Sequence, residues 1–192
     1  QDMDSVAVRQ SLAQGTIEKY LQKLKVQQDD VFYIPAGTVH GIGAGNLIVE
    51  VQESSNLTYR LYDYDRVDKA GQKRELHLEK ALAVADLKGK AAPRQPLRVL
   101  RYTPGSATEF LCRCKYFQVE RLLLNTEGKS KLAELYTGSS SFQALLCLDG
   151  EGYILTEDKE KLAYSKGNCI FIPANTGKLQ LCGRSQFLKI SC

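Results

Sequence analysis

The sequence predicts a mainly β protein, a sandwich or barrel with a few short helices. Two observations carry this prediction. From residue 98 onward the chain breaks into short apolar runs separated by Gly, Ser, Asn and Asp clusters, the pattern of many short strands joined by turns. Helical spacing of apolar residues is confined to two stretches, near 5–25 and 77–87.

Taken in order, Val8, Leu12, Ile17, Leu21 and Leu24 recur at helical intervals, and Gly15-Thr16 interrupts them. Two short helices are expected, with Thr16 as N-cap of the second. Residues 31–34 form a strand-like run that stops at Pro35, and Gly37 permits a turn. A second run, 47–51, follows the glycines at 41, 43 and 45, and residues 57–64 alternate apolar with polar side chains. An amphipathic helix is expected over 77–87. The organisation read from this is a first domain over 1–88, a linker rich in Gly, Ala and Pro over 89–97, and a second domain over 98–192. Strand-like runs in the second domain lie near 98–103, 109–112, 116–124, 143–148, 152–156, 168–172 and 186–190.

One strand-turn unit occurs twice. Asp30-Val31-Phe32-Tyr33-Ile34-Pro35-Ala36-Gly37-Thr38 aligns with Asn168-Cys169-Ile170-Phe171-Ile172-Pro173-Ala174-Asn175-Thr176, as expected if a whole small barrel repeats. The position matching His40 in the second copy is Lys178, whose ammonium is a poor metal ligand at neutral pH.

Composition excludes several classes. The 192 residues are 43% hydrophobic and 25% charged, an ordinary globular balance. The net charge of +4 comes from 26 basic and 22 acidic residues, scattered without a basic block, which argues against nucleic acid as a partner. No run approaches the roughly 18 apolar residues of a membrane span, and no signal peptide is read. A soluble, cytoplasmic protein is expected. The six cysteines, mostly within apolar runs, fit buried reduced thiols better than disulfides. Cys112-Arg113-Cys114 lacks the second pair that a zinc site requires.

His40 and His77 are the two histidines. His40 follows the Pro-x-Gly turn and is flanked by Gly41, so its imidazole can point into a barrel mouth as a metal ligand; a buried histidine satisfied by backbone is the alternative. His77 opens the second helical stretch, where a surface or capping role is expected. Glu50, Asn56, Arg60, Asp63 and Arg66 follow His40. Period two turns Glu50 and Gln52 to one face of their strand, so Glu50 can enter the barrel as a ligand or proton-transfer group. Arg60 and Arg66 suit phosphate or a developing oxyanion, because a guanidinium offers two parallel donors and stays charged. A solvated edge strand with ion pairs is the alternative for that segment.

Residues 32–40 together with residues 52–66, which read Gln-Glu-Ser-Ser-Asn-Leu-Thr-Tyr-Arg-Leu-Tyr-Asp-Tyr-Asp-Arg, resemble type I mannose-6-phosphate isomerase of the cupin superfamily, in its short bacterial form. The resemblance is specific through the Arg74-Glu75-Leu76-His77 stretch and weaker to the C-terminus. It implies a double-stranded β-helix (cupin or jelly roll) fold: the C-terminal portion of a catalytic barrel, then a second, non-catalytic cupin-like barrel. It implies Zn²⁺ as cofactor with His40 as a ligand, and Arg60 as a catalytic residue. Glu50 is a catalytic candidate, and Arg66 and Asn56 are substrate-binding candidates. The substrate implied is a phosphosugar, with mannose 6-phosphate and fructose 6-phosphate interconverting through a cis-enediol; a homodimer is compatible with it.

Two departures qualify the resemblance. Some relatives carry Asp where this chain has Asn56, and an amide cannot serve as a base. The family's other zinc ligands, a Gln-x-His segment and a glutamate, lie earlier than Gln1, so a C-terminal fragment inactive on its own is expected. The competing functions are a non-catalytic sugar-binding or regulatory cupin and a metal-dependent oxygenase, for which the ligand candidate His40 lies in no H-x-H or H-x-D/E pattern.

Overall fold

In a computed structural model that describes residues 2–89, 99–128 and 132–192, the chain divides into two units, Gln1–Gln95 and Pro96–Cys192. Of the linker read over 89–97, residues 90–97 lie outside the described residues.

In the first unit, Asp4 starts helix α1, Ser5–Ala13, by accepting a hydrogen bond from the Ala7 amide at 2.7 Å, which satisfies one of the orphan donors of a helix N-terminus. Helix α2 spans Leu78–Val84. Arg9 forms a two-pronged ion pair with Glu79 on α2, and Met3 N donates to Leu87 O at 3.0 Å, so the start of the chain is held to α2 and its tail. Val8, Ile17 and Ala81 supply the buried apolar residues of this unit. The second helix expected before residue 25 is reduced to one 3₁₀ turn, Ile17–Lys19. Thr16 makes no capping bond there; its hydroxyl and amide both turn back to Ser11 O, at 3.3 and 2.7 Å.

The strands expected at 31–34, 47–51 and 57–64 do not form as ladders. Among the described residues of this unit, pairing is limited to two isolated bridges, Thr38 with Asp86 and Val67 with Lys73. Alternation selects the face a strand would bury, but a ladder needs the backbone of a neighbour to complete its N–H and C=O groups. Leu47 is accordingly 100% exposed. Among the described residues of this half, turns and isolated bridges stand where those strands were expected.

The second unit carries the β structure: β1 Leu100–Thr103, β2 Ser106–Arg113, β3 Gln118–Asn125, β4 Ala133–Thr137, β5 Gln143–Leu155, β6 Lys161–Ser165, β7 Cys169–Ile172 and β8 Gly177–Ser191. The runs expected at 143–148 and 152–156 are one strand, β5. β4 and β6 were not expected; each is short and mixes charged with apolar residues, and each is supported by a long neighbour. All pairings are antiparallel. β5 and β8 pair along nearly their whole lengths, interrupted between Cys147 and Asp149, and change outer neighbours midway. β8 pairs with β4 through Leu181 and with β3 from Arg184; β5 pairs with β7 through Leu146 and with β6 from Glu151.

The change occurs at glycines. Gly183 has φ +131°, and a Cβ on Gly152 or Gly183 would collide with the carbonyl of Cys182 or Glu151 across the pair, so only glycine lets the two backbones approach this closely. Inward residues from both halves then share one core, including Leu122, Leu135, Leu145, Ile154, Leu181 and Phe187. Two hydrogen-bonded layers facing a common core make a jelly-roll sandwich. Beside the bend, the buried Tyr164 hydroxyl lies 3.1 Å from Cys182 O and 3.0 Å from Ser185 Oγ, and burial raises its pKa.

The cysteines are all free. Only Cys147 is buried, while Cys169 and Cys192 are exposed, which corrects the expectation that these thiols are buried as a set: Cys169 points outward on β7, a strand whose Ile172 faces the core.

Candidate functional site

The turn before His40 is built by Pro35 and Gly37. Thr38 N donates to Pro35 O at 3.1 Å, and Gly37 takes φ +83°, where a Cβ would meet Val84 O at 2.7 Å. Only glycine combines that dihedral with contact against the end of α2. Asp86 N donates to Gly37 O at 2.8 Å, which fastens the turn to the helix tail. His40 is exposed, with Nδ1 at 2.8 Å from Thr38 O. A carbonyl only accepts, so Nδ1 carries the proton, and in the neutral ring Nε2 keeps its lone pair. That arrangement matches a histidine prepared as a metal ligand, whose other ring nitrogen is held by backbone.

Arg60 is held at the opposite end of α2. Its carbonyl accepts from His77 N at 2.8 Å, its amide donates to His77 Nδ1 at 3.2 Å, and its Nη1 donates to Glu75 O at 3.0 Å. Seven residues of helix separate the two attachments, roughly 10 Å at 1.5 Å per residue.

A second cluster centres on Asp63, which is 5% exposed. Its carboxylate takes Arg66 Nη2 at 2.5 Å and Arg74 Nε at 2.8 Å, with a further bond from Arg74 Nη2. The Arg74 guanidinium, followed by Arg66, holds the Asp63 carboxyl far below the usual carboxylate range. The Arg66 guanidinium also lies 5.7 Å from the Tyr64 ring centroid. A Cβ placed on Gly41 would meet Tyr64 Oη at 3.8 Å, so Tyr64 links the Arg66 cluster to the backbone beside His40.

Glu50 and Asn56 are both exposed, on segments that form no ladder, so the strand face expected to turn Glu50 inward is not made. The structure thus ties the His40 turn and the Arg60 segment to opposite ends of α2 and sets Arg66 beside Asp63 and Tyr64. It gives Glu50 and Asn56 no such support. The anchoring roles of His77, Glu75 and Arg74 escaped the sequence reading. Arg66 three residues after Asp63 hinted at an ion pair, whereas Arg74 and His77 meet their partners only through folding. Among the described residues no group of three or more His, Cys, Asp or Glu side chains is gathered to hold a metal. His40 is suited to supply one ligand, and a tetrahedral zinc site needs three or four. In the second copy of the repeat, Lys178 is committed to an ion pair with Glu134 at 2.6 Å.

Comparison with known proteins gives this geometry its context. Residues 106–191 match the family described as mannose-6-phosphate isomerase, cupin domain. The chain is 33% identical over 175 residues to mannose-6-phosphate isomerase ManA of Bacillus subtilis (strain 168), covering 91% of this chain and 53% of the relative. The likeness is thus to mannose-6-phosphate isomerases, through their cupin domain over residues 106–191 and through a relative over most of the chain. A mannose-6-phosphate isomerase of Streptococcus mutans is 35% identical over 166 residues, covering 86% of this chain and 49% of the relative. The crystal structure of mannose 6-phosphate isomerase from Bacillus subtilis superposes with a TM-score of 0.86 at 27% identity, covering all of this chain and 58% of that one. The chain spans about half the length of the curated mannose-6-phosphate isomerases it matches. The isomerase cupin-domain match falls on the second unit, whereas His40, Glu50, Asn56, Arg60 and Arg66 all precede it.

Proposed function

We propose that this chain forms part of a zinc-dependent mannose-6-phosphate isomerase that interconverts mannose 6-phosphate and fructose 6-phosphate. The observation that carries this reading is the attachment of the His40 turn and the Arg60 segment to opposite ends of one short helix, in a chain whose relatives bear that activity in their names. His40 Nε2 would be one zinc ligand, and zinc when bound supplies a Lewis acid that polarises sugar oxygens. No step is assigned through the metal, because the described residues do not complete its ligand set.

The chemistry asked of the protein is proton transfer between adjacent carbons. Removing the C2 proton of the aldose places its electron pair in a C1–C2 double bond and charge on O1; passage of the C2 hydroxyl proton to O1 and return of a proton to C1 give the ketose. Arg60 stabilises the charge developing on oxygen, Glu50 is the candidate base, Arg66 grips the phosphate, and Asn56 orients substrate hydroxyls. In this reading the protein works in the cytoplasm, in keeping with six free cysteines. Among the described residues, no helix is long and apolar enough to cross a membrane.

The test is turnover of mannose 6-phosphate by the whole protein, with and without chelation, and with His40→Ala and Arg60→Ala. Metal-dependent turnover lost in both variants supports the reading. Phosphosugar binding without turnover would identify a non-catalytic cupin instead.

A further inference from the structure

His77 is the N-cap of α2, yet its side chain makes no capping bond. Its carbonyl accepts from Ala81 N at 2.8 Å, which begins the helix. In an antiparallel pair, two facing residues exchange both N–H···O=C bonds. Here one half of the exchange is intact, from His77 N to Arg60 O at 2.8 Å. The other half is not made by the His77 carbonyl, which accepts from Ala81 N at the start of the helix. The imidazole takes its place: Nδ1 accepts from Arg60 N at 3.2 Å. An amide N–H can only donate, so Nδ1 is bare and the ring proton sits on Nε2, which lies 3.8 Å from the exposed Glu75 carboxylate. The Tyr59 ring stands 6.3 Å from the imidazole. Arg60 Nη1 on Glu75 O at 3.0 Å completes a cradle in which residues 75–77 hold both the backbone and the head of Arg60.

We infer that His77 is a positioning residue for Arg60: its imidazole replaces a strand carbonyl already used by α2 and so fixes the arginine at the start of the helix that carries the His40 turn on its other end. The requirement is specific. A residue at this position must start the helix through its backbone and also return an acceptor to Arg60 N, a demand that alanine fails and asparagine meets, since its Oδ1 stands where histidine carries Nδ1. The consequence for turnover rests on the isomerase function proposed above, in which Arg60 meets charge that develops in the transition state. Misplacing such a group lowers kcat more than it raises KM.

The experiment compares unsubstituted protein, His77→Ala and His77→Asn in the whole metal-loaded protein, reading kcat, KM, and hydrogen exchange at the Arg60 amide. His77→Ala is expected to lower kcat by about tenfold to a hundredfold, with KM changed by less than about threefold, and to speed exchange at Arg60. His77→Asn is expected to restore most of both. Wild-type kcat in His77→Ala, or an asparagine variant no better than alanine in exchange and kcat, overturns the inference. If the unsubstituted protein shows no isomerase turnover, the functional reading fails separately, and Arg60 exchange still decides the positioning role. Should His77→Ala not fold, an unprotected Arg60 amide in the unsubstituted protein overturns the role, and protection there that His77→Asn retains supports it.

Discussion

The two copies of the repeat have the same turns and different fates. In the first, Gln27 N donates to Asp30 Oδ2 at 2.8 Å and Asp30 N to Gln27 O at 3.2 Å; in the second, Ser165 N donates to Asn168 Oδ1 at 2.8 Å and Asn168 N to Ser165 O at 3.0 Å. The residue before each, Asp29 or Gly167, has positive φ, as does the third residue of each Pro-Ala turn, Gly37 or Asn175. Thr N donates to Pro O in both. Yet residues 169–172 are strand β7, laddered to β5, while residues 31–34 form no ladder. Local sequence encodes turns, because their hydrogen bonds close within four residues. A strand also depends on what lies beside it.

The comparison breaks first on activity. His40→Ala and Arg60→Ala should each reduce isomerase turnover of the whole protein by a hundredfold or more, the loss of about 3 kcal/mol typical of a group acting on the transition state. Lys178→Ala in the second copy should leave turnover unchanged; coupled steady-state assays decide, and a Lys178 defect would overturn the division of labour between the copies.

Packing gives the next effect. Leu145→Ala, at a side chain 0% exposed beside β7, should cost about 2–5 kcal/mol in denaturant unfolding. Leu47→Lys in the first unit should stay within about 0.5 kcal/mol in this chain. A large loss from Leu47→Lys in the whole protein would show that this segment is covered there.

The paired turns differ in tolerance by a smaller margin. Gly37→Asn should cost about 2 kcal/mol, because a Cβ would press on Val84 O at 2.7 Å. Asn175→Gly, a change to the residue the first copy already uses, should cost less than about 1 kcal/mol. Equal melting temperatures for the two variants would mean that contact with α2 plays no part.

The last effect depends on pH. Because Arg74 and Arg66 lower the folded pKa of Asp63, its contribution to stability is fully present above the ordinary carboxylate value of about 3.9 and is lost as pH falls below it. Asp63→Asn should therefore be less stable than the unsubstituted chain at pH 7, with the gap narrowing in acid below about pH 4. A gap that does not narrow would assign the defect to packing.

Much of this was legible in residues. The Pro-Ala-Gly-Thr and Pro-Ala-Asn-Thr repeat announced two equivalent turns, and His40 and Arg60 stood out by type and place. The strand pattern of the second unit was readable except for β4 and β6, which owe their strand state to β8 and β5. The strands of the first unit and the inward face of Glu50 were misjudged for the converse reason: alternation was present and the ladder was not.

The sequence by itself determined the turns of the repeat and the chemical types available at the site, because each depends on the dihedral or donor set of a few adjacent residues. Only the tertiary structure decided which apolar runs became strands, that Asp63 joins Arg66 to Arg74, and that the imidazole at the N-cap of α2 completes the pairing of Arg60. Those outcomes depend on backbone and side chains brought together from distant positions, where a hydrogen bond forms only if folding delivers both partners.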